Sequence, residues 1–150
     1  MSTTWSVGNT NLSSDRPAPP VVRNTFEKWF DKRKAPAGTY PRGQIVLFHD
    51  TFMNFNYPSI GVAATDLLEA LGFEVIILKD RKCCGRPMLS MGMMDKARRN
   101  ARFNVDSLLP YVNSGARLVG LEPSCLLSFR DDYLDLLDLL QWFHLLVLHK

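Results

Sequence analysis

The chain has 150 residues, 46% of them apolar and 22% charged, and a formal net charge of +3. That length supports one domain able to bury most of its apolar surface. Basic and acidic residues are interspersed, so charge gives no support to nucleic-acid binding. Three cysteines are an odd number, which argues against a disulfide framework. No secretory apolar stretch opens the chain, and no apolar run reaches the ~18 residues of a membrane span. A reducing, cytoplasmic setting is therefore expected, with the membrane surface as a second station reached through partners.

Residues 1–40 read as a flexible, disordered lead-in carrying one short helix. Positions 1–20 are rich in Ser, Thr, Asn and Pro and cannot build a core. An amphipathic helix is predicted next, with Phe26, Trp29 and Phe30 on one face and Glu27, Lys28 and Asp31 on the other. The turn Lys34-Ala35-Pro36-Ala37-Gly38 stops it.

Residues 41–137 then follow a regular order. Ile45-Val46-Leu47-Phe48 is a short apolar run suited to a strand buried on both faces. Pro58 opens a helix where its missing N–H costs nothing. Ile60, Ala63, Ala64, Leu67, Leu68 and Leu71 are expected to form its apolar stripe, with Gly72 closing it. Phe73-Glu74-Val75-Ile76-Ile77-Leu78 is the second predicted strand. A long helix is expected from about Met94 to Val112, with Ala97, Ala101, Val105, Leu108, Leu109 and Val112 at helical spacing. Its cluster Lys96, Arg98, Arg99 and Arg102 reads as a solvated face or a docking patch. Arg117-Leu118-Val119-Gly120-Leu121 is the third strand, and a helix begins near Pro123. Short connections in this βαβαβ order imply an α/β fold, a three-stranded parallel sheet with flanking helices and right-handed crossovers.

The order has a geometrical consequence. Ligands of open parallel sheets collect beyond the carboxyl ends of the strands. His49-Asp50-Thr51 follows the first strand, Cys83-Cys84-Gly85 the second, and Glu122 to Cys125 the third. Residues roughly 75 positions apart can thus meet on one edge. Adjacent cysteines are a poor disulfide pair with each other, while soft thiolates suit iron, zinc or copper. Cys83, Cys84 and Cys125 are therefore the candidate metal ligands, with Asp50 and Glu122 as oxygen ligands or supporting groups. Gly85 would let the backbone pass close to a bulky inorganic group. A structural zinc site would want four tightly spaced N or S ligands, and no CxxC pair is present. His49 reads as a hydrogen-bonded core residue, and Tyr57, Tyr111 and Tyr133 as core fillers. No Gly-rich phosphate loop, HExxH or GxSxG occurs.

Leu47-Phe48-His49-Asp50-Thr51-Phe52, Leu67 to Val75, Cys83-Cys84-Gly85-Arg86-Pro87, Gly120-Leu121-Glu122-Pro123-Ser124-Cys125 and Arg130-Asp131-Asp132-Tyr133 together resemble a known family. It is the cysteine-rich CCG domain of iron–sulfur oxidoreductases, found in heterodisulfide reductase, the glycolate oxidase iron–sulfur protein and FAD-linked D-lactate dehydrogenase-like proteins. The resemblance implies an electron-transfer module that works with FAD-binding and ferredoxin-like domains or subunits on a 2-hydroxy acid such as D-lactate or glycolate. It also implies an iron–sulfur cluster or other thiolate-bound metal at Cys83, Cys84 and Cys125, and FAD on a partner. Where the family motif is complete, a cysteine follows strand one and a CxxC follows strand three. Here Asp50 and Glu122 stand at the first cysteine and at the opening of the CxxC. The resemblance fits one module of a longer protein, with little turnover expected alone. Residues 138–150 form an apolar segment that departs from the family, with polar residues at 138, 141 and 144.

Overall fold

The computed structural model describes residues 19–137, so residues 1–18 of the lead-in and the segment 138–150 lie outside the described residues. Within it, the elements run α1 (Phe26–Lys32), β1 (Gln44–Phe48), α2 (Thr51–Phe55), α3 (Pro58–Ala70), β2 (Glu74–Ile76), α4 (Arg86–Ser90), α5 (Met94–Asn113), β3 (Arg117–Gly120), α6 (Pro123–Leu127), a π-helical turn (Ser128–Asp132) and α7 (Tyr133–Leu136). The three strands are parallel in the order β2-β1-β3. Ile45 pairs with Val75 on one side and with Arg117 on the other, which makes β1 central. Its residues Ile45 to Phe48 are all buried, as an apolar run covered on two faces requires.

Alternation along β1 divides the core into two. Val46 and Phe48 pack with Ala97, Ala101, Val105 and Leu108 of α5 and with Phe129, Tyr133, Leu136 and Leu137. Leu47 packs on the opposite face with Phe26, Met53, Val75 and Ile77. The basic residues Lys96, Arg98, Arg99 and Arg102 are exposed. β2 is shorter than the apolar run suggests, because ladder pairing ends at Ile76 although Ile77 stays buried.

α3 corrects the expected stripe. Ile60, Leu67 and Leu71 are exposed, and the buried positions of α3 are Gly61 and Thr65. α3 meets α1 at Gly61, where the Phe26 ring fills the space, while Val62 and the stripe residue Leu68 pack partly buried against the core. A Cβ on Gly61 would lie 2.5 Å from Phe26 Cδ2. The Thr65 hydroxyl is satisfied locally by donating to the Gly61 carbonyl at 2.8 Å. Tyr57, expected in the core, is instead 45% exposed in the turn between α2 and α3, whereas Tyr133 is fully buried.

Gly61→Ala should therefore destabilise the fold by about 1–3 kcal/mol through overpacking, although alanine favours a helix by about 1 kcal/mol over glycine. Urea unfolding of the variant checks this. Pairing Gly61→Ala with Phe26→Leu should recover part of the loss.

Candidate functional site

The cysteine pair sits in the loop between β2 and α4, and Cys125 in the first turn of α6. Both elements start at the carboxyl edge of the sheet. The Cys84 and Cys125 sulfurs are 3.1 Å apart, although 41 positions separate them in sequence. Cys84 is buried and Cys83 and Cys125 are half-buried, all three as free thiols. The contact with Cys125 pushes the Cys84 thiol up to about 11, opposed by its contact with Cys83 and aided to a smaller degree by burial. Cys83 is raised as well, first by its contact with Cys84 and then by burial.

The loop is held by polar side chains that the pattern of cysteines does not reveal. Asn104 is completely buried on α5. Its Oδ1 accepts from the Lys82 N–H at 2.8 Å, and its Nδ2 lies 3.1 Å from the Lys82 carbonyl and 3.4 Å from that of Cys83. Asn100 Nδ2 donates to the Cys83 carbonyl at 3.2 Å. The Tyr133 hydroxyl donates to the Cys84 carbonyl at 2.9 Å and accepts from Asn104 at 3.2 Å. Every carbonyl from Lys82 to Cys84 thus has a side-chain donor, which pins the loop against α5 and α7. An asparagine set among Ala101, Val105 and Leu108 was the available signal, since a polar residue on an apolar stripe needs a buried partner.

Asp50 and Glu122 reach the same edge as helix caps. Asp50 Oδ1 accepts from the N–H groups of Phe52 and Met53 at 2.8 and 3.0 Å, starting α2. Glu122 Oε1 accepts from the Ser124 N–H and hydroxyl at 3.1 and 2.7 Å, starting α6. Each carboxylate does this through one oxygen. Gly85 has φ +96°, a left-handed conformation that favours glycine. A Cβ there would meet Ala97 only at ordinary contact distance, so conformation rather than space calls for glycine. Among the described residues, no three His, Cys, Asp or Glu side chains are grouped so as to hold a metal ion.

Arg81 and His49 complete the edge. The Arg81 guanidinium stacks 5.2 Å from the Phe48 ring centroid. Burial lowers its pKa, opposed by the nearby Cys83, Asp50 and Cys125 groups. His49 is 1% exposed, with Nε2 3.9 Å from Glu27 and Nδ1 without a partner among the described residues. It is buried as expected, but the hydrogen bond expected of it is absent at Nδ1 among the described residues, and Nε2 approaches Glu27 no closer than 3.9 Å. Burial, then the Arg81 charge, lowers its pKa to about 4.

The sequence pattern of the cysteine-rich CCG domain matches residues 46–130, which carry all three cysteines, β2, β3 and the last three residues of β1. The chain belongs to the CCG family. This CCG chain is 33% identical over 124 residues to one component of the anaerobic glycerol-3-phosphate dehydrogenase of Escherichia coli K12, covering 82% of the chain and 31% of that relative. It is 30% identical over 88 residues to lactate utilization protein A of an Exiguobacterium strain, covering 58% of the chain and 35% of that protein. An uncharacterized iron-sulfur protein of Methanocaldococcus jannaschii is 28% identical over 88 residues, covering 56% of the chain and 18% of the relative. The CCG chain therefore spans about a third of the length of the first two curated relatives or less. No solved structure gives a significant match. Among the described residues, no helix is long and apolar enough to cross a membrane.

Two outcomes test this arrangement. Asn104→Ala leaves the Lys82 N–H without its acceptor and should cost about 2–4 kcal/mol, more than Tyr133→Phe at about 1–2 kcal/mol; denaturant midpoints and Cys83 and Cys84 alkylation rates report both. His49, neutral in the fold, binds fewer protons than in the unfolded chain between its native pKa of about 4 and the ordinary 6.5. Its contribution to stability is thus present above about pH 6.5 and is lost as pH falls toward 4, by roughly 3 kcal/mol at most. Unfolding free energies across that window should lose this slope in His49→Phe.

Proposed function

We propose that this chain is the thiolate-bearing electron-transfer module of an iron–sulfur oxidoreductase, one part of a larger redox assembly. The observation that carries the reading is the meeting of two sulfurs from separate post-strand loops at the carboxyl edge of a parallel sheet. The names of the relatives support it, since they describe an anaerobic dehydrogenase component, a lactate utilization protein and an iron-sulfur protein.

The donor types suit iron, although as they stand no three ligating side chains among the described residues are grouped to hold a metal ion. Three soft sulfurs lie in two neighbouring loops, and Cys83, Cys84 and Cys125 would hold an iron–sulfur cluster or another thiolate-bound metal. A cluster supplies one-electron transfer when bound. Asp50 and Glu122 would tune or complete the site through the carboxylate oxygen each leaves outside its cap. Arg81 would offset the negative charge of ligated thiolates. The buried Asn104 and Tyr133 would keep the Cys83-Cys84 backbone in place and exclude water from one side. FAD-binding and ferredoxin-like domains or subunits would be the electron partners, and a 2-hydroxy acid of the D-lactate or glycolate type the substrate of the whole assembly. The chain alone would then have little turnover, at the cytoplasmic side and near a membrane only through its partners.

A second reading is a subunit-contact domain with free thiols. It draws on the capping roles of both carboxylates and on the exposed Ile60, Leu67 and Leu71 of α3. Anaerobic reconstitution with iron and sulfide separates the two. The redox reading predicts a brown protein whose iron content falls at least several-fold in Cys84→Ser and in Cys125→Ser. Colourless wild-type protein with three titratable thiols would instead establish the contact domain.

A further inference from the structure

We propose that Cys84 and Cys125 form a reversible disulfide in the metal-free chain when it meets a small-molecule disulfide, making this pair a redox modification site. The inference goes beyond metal ligation and holds whether or not a cluster binds. Its geometrical basis is the 3.1 Å separation of the two sulfurs, about 1 Å longer than a disulfide bond. Cys125 lies at the start of a five-residue helix, α6, and Cys84 in an irregular loop, so neither sits deep in a long element that would resist this approach. Cys83 is the poorer partner for Cys84, because adjacent residues close a strained ring.

The two thiols differ in access, and this orders the steps. Cys125 is half-buried and Cys84 is only 3% exposed. Cys125, as thiolate, attacks the reagent RSSR and forms a mixed disulfide, releasing one RS⁻ that leaves as RSH with the Cys125 proton. The Cys84 sulfur, already in contact, attacks the Cys125 sulfur and expels the second RSH, which takes the Cys84 proton. Two thiols are oxidised to one disulfide, and RSSR is reduced to two RSH. The apolar packing of Cys84 disfavours a second reagent molecule there, so ring closure outpaces double adduct formation.

The bond would tie the loop after β2 to the helix after β3. In the order β2-β1-β3, these are the two outer strands, so the crosslink spans the end of β1. It would close a loop of roughly forty residues and restrict the unfolded chain. It would also remove two of the three thiols from metal ligation. Oxidation and metal loading would then exclude one another on the same edge.

The test uses the full metal-free chain, reduced, desalted and exposed to glutathione disulfide, for the wild type, Cys83→Ser and Cys125→Ser. Wild type and Cys83→Ser should each lose two hydrogens by intact mass, with no glutathione retained. Wild type should fall from three titratable thiols to one, and its proteolytic fragments should show a Cys84–Cys125 link. Reductant should restore all three thiols, and the oxidised protein should melt at a higher temperature. A stable glutathione adduct on Cys125, a Cys83–Cys84 link, or three unreacted thiols would each overturn the proposal. None of these outcomes depends on iron, so a failed disulfide and a failed cluster are read separately.

Discussion

The arrangement of the sheet edge depends on one buried amide. Asn104 sits with no exposed surface on the inner face of α5, and its side chain accepts from the Lys82 N–H, donates to the Lys82 carbonyl and reaches the Cys83 carbonyl. A loop after a strand ordinarily wanders because its polar backbone can turn to water. Here Asn104, Asn100 and Tyr133 supply the partners that water would have supplied. The cysteine pair is thereby fixed against α5 and the Cys84 sulfur faces the start of α6.

Parallel pairing does the rest. With β1 between β2 and β3, the loops leaving all three strands rise on the same side, and distant residues become neighbours without any long connection. Asp50 and Glu122 occupy this edge as the residues that follow β1 and β3. Both are used locally to start short helices. A carboxylate can accept from several N–H groups at once, which a thiol does poorly. The two carboxylates thus serve the edge as a scaffold and add no soft ligand to the three sulfurs.

Much of this was legible in the residues. The apolar run at Ile45–Phe48 and the long periodicity of α5 announce the central strand and one layer, because burial on both faces and a 3.6-residue repeat leave direct traces in composition, while the run at Arg117–Leu121 marks an edge strand that stays partly exposed. That the two cysteine loops share one edge follows from parallel pairing, but the contact of their sulfurs across the end of β1 also needs the side chains that hold the loop after β2. α3 was misread because apolar residues at helical spacing say that a helix has an apolar side, not which side meets the core. Gly61 and the Phe26 ring decide that, and they come from elements far apart in sequence. The roles of Asp50 and Glu122 were hidden for a related reason: an acidic residue before a short helix caps it and resembles a ligand equally well. Asn104 carried a readable signal, an amide on an apolar stripe, whose partner only the fold reveals.

A trivalent arsenical binds tightly only where two thiols lie close enough to share one arsenic atom, so it measures the convergence of Cys84 and Cys125 directly. Titration of the reduced Cys83→Ser chain should end at one arsenical per chain with both remaining thiols consumed, and Asn104→Ala in that background should weaken the binding by an order of magnitude or more. Failure of Cys83→Ser to bind the arsenical tightly, while its thiols still react singly with an alkylating reagent, would contradict the account.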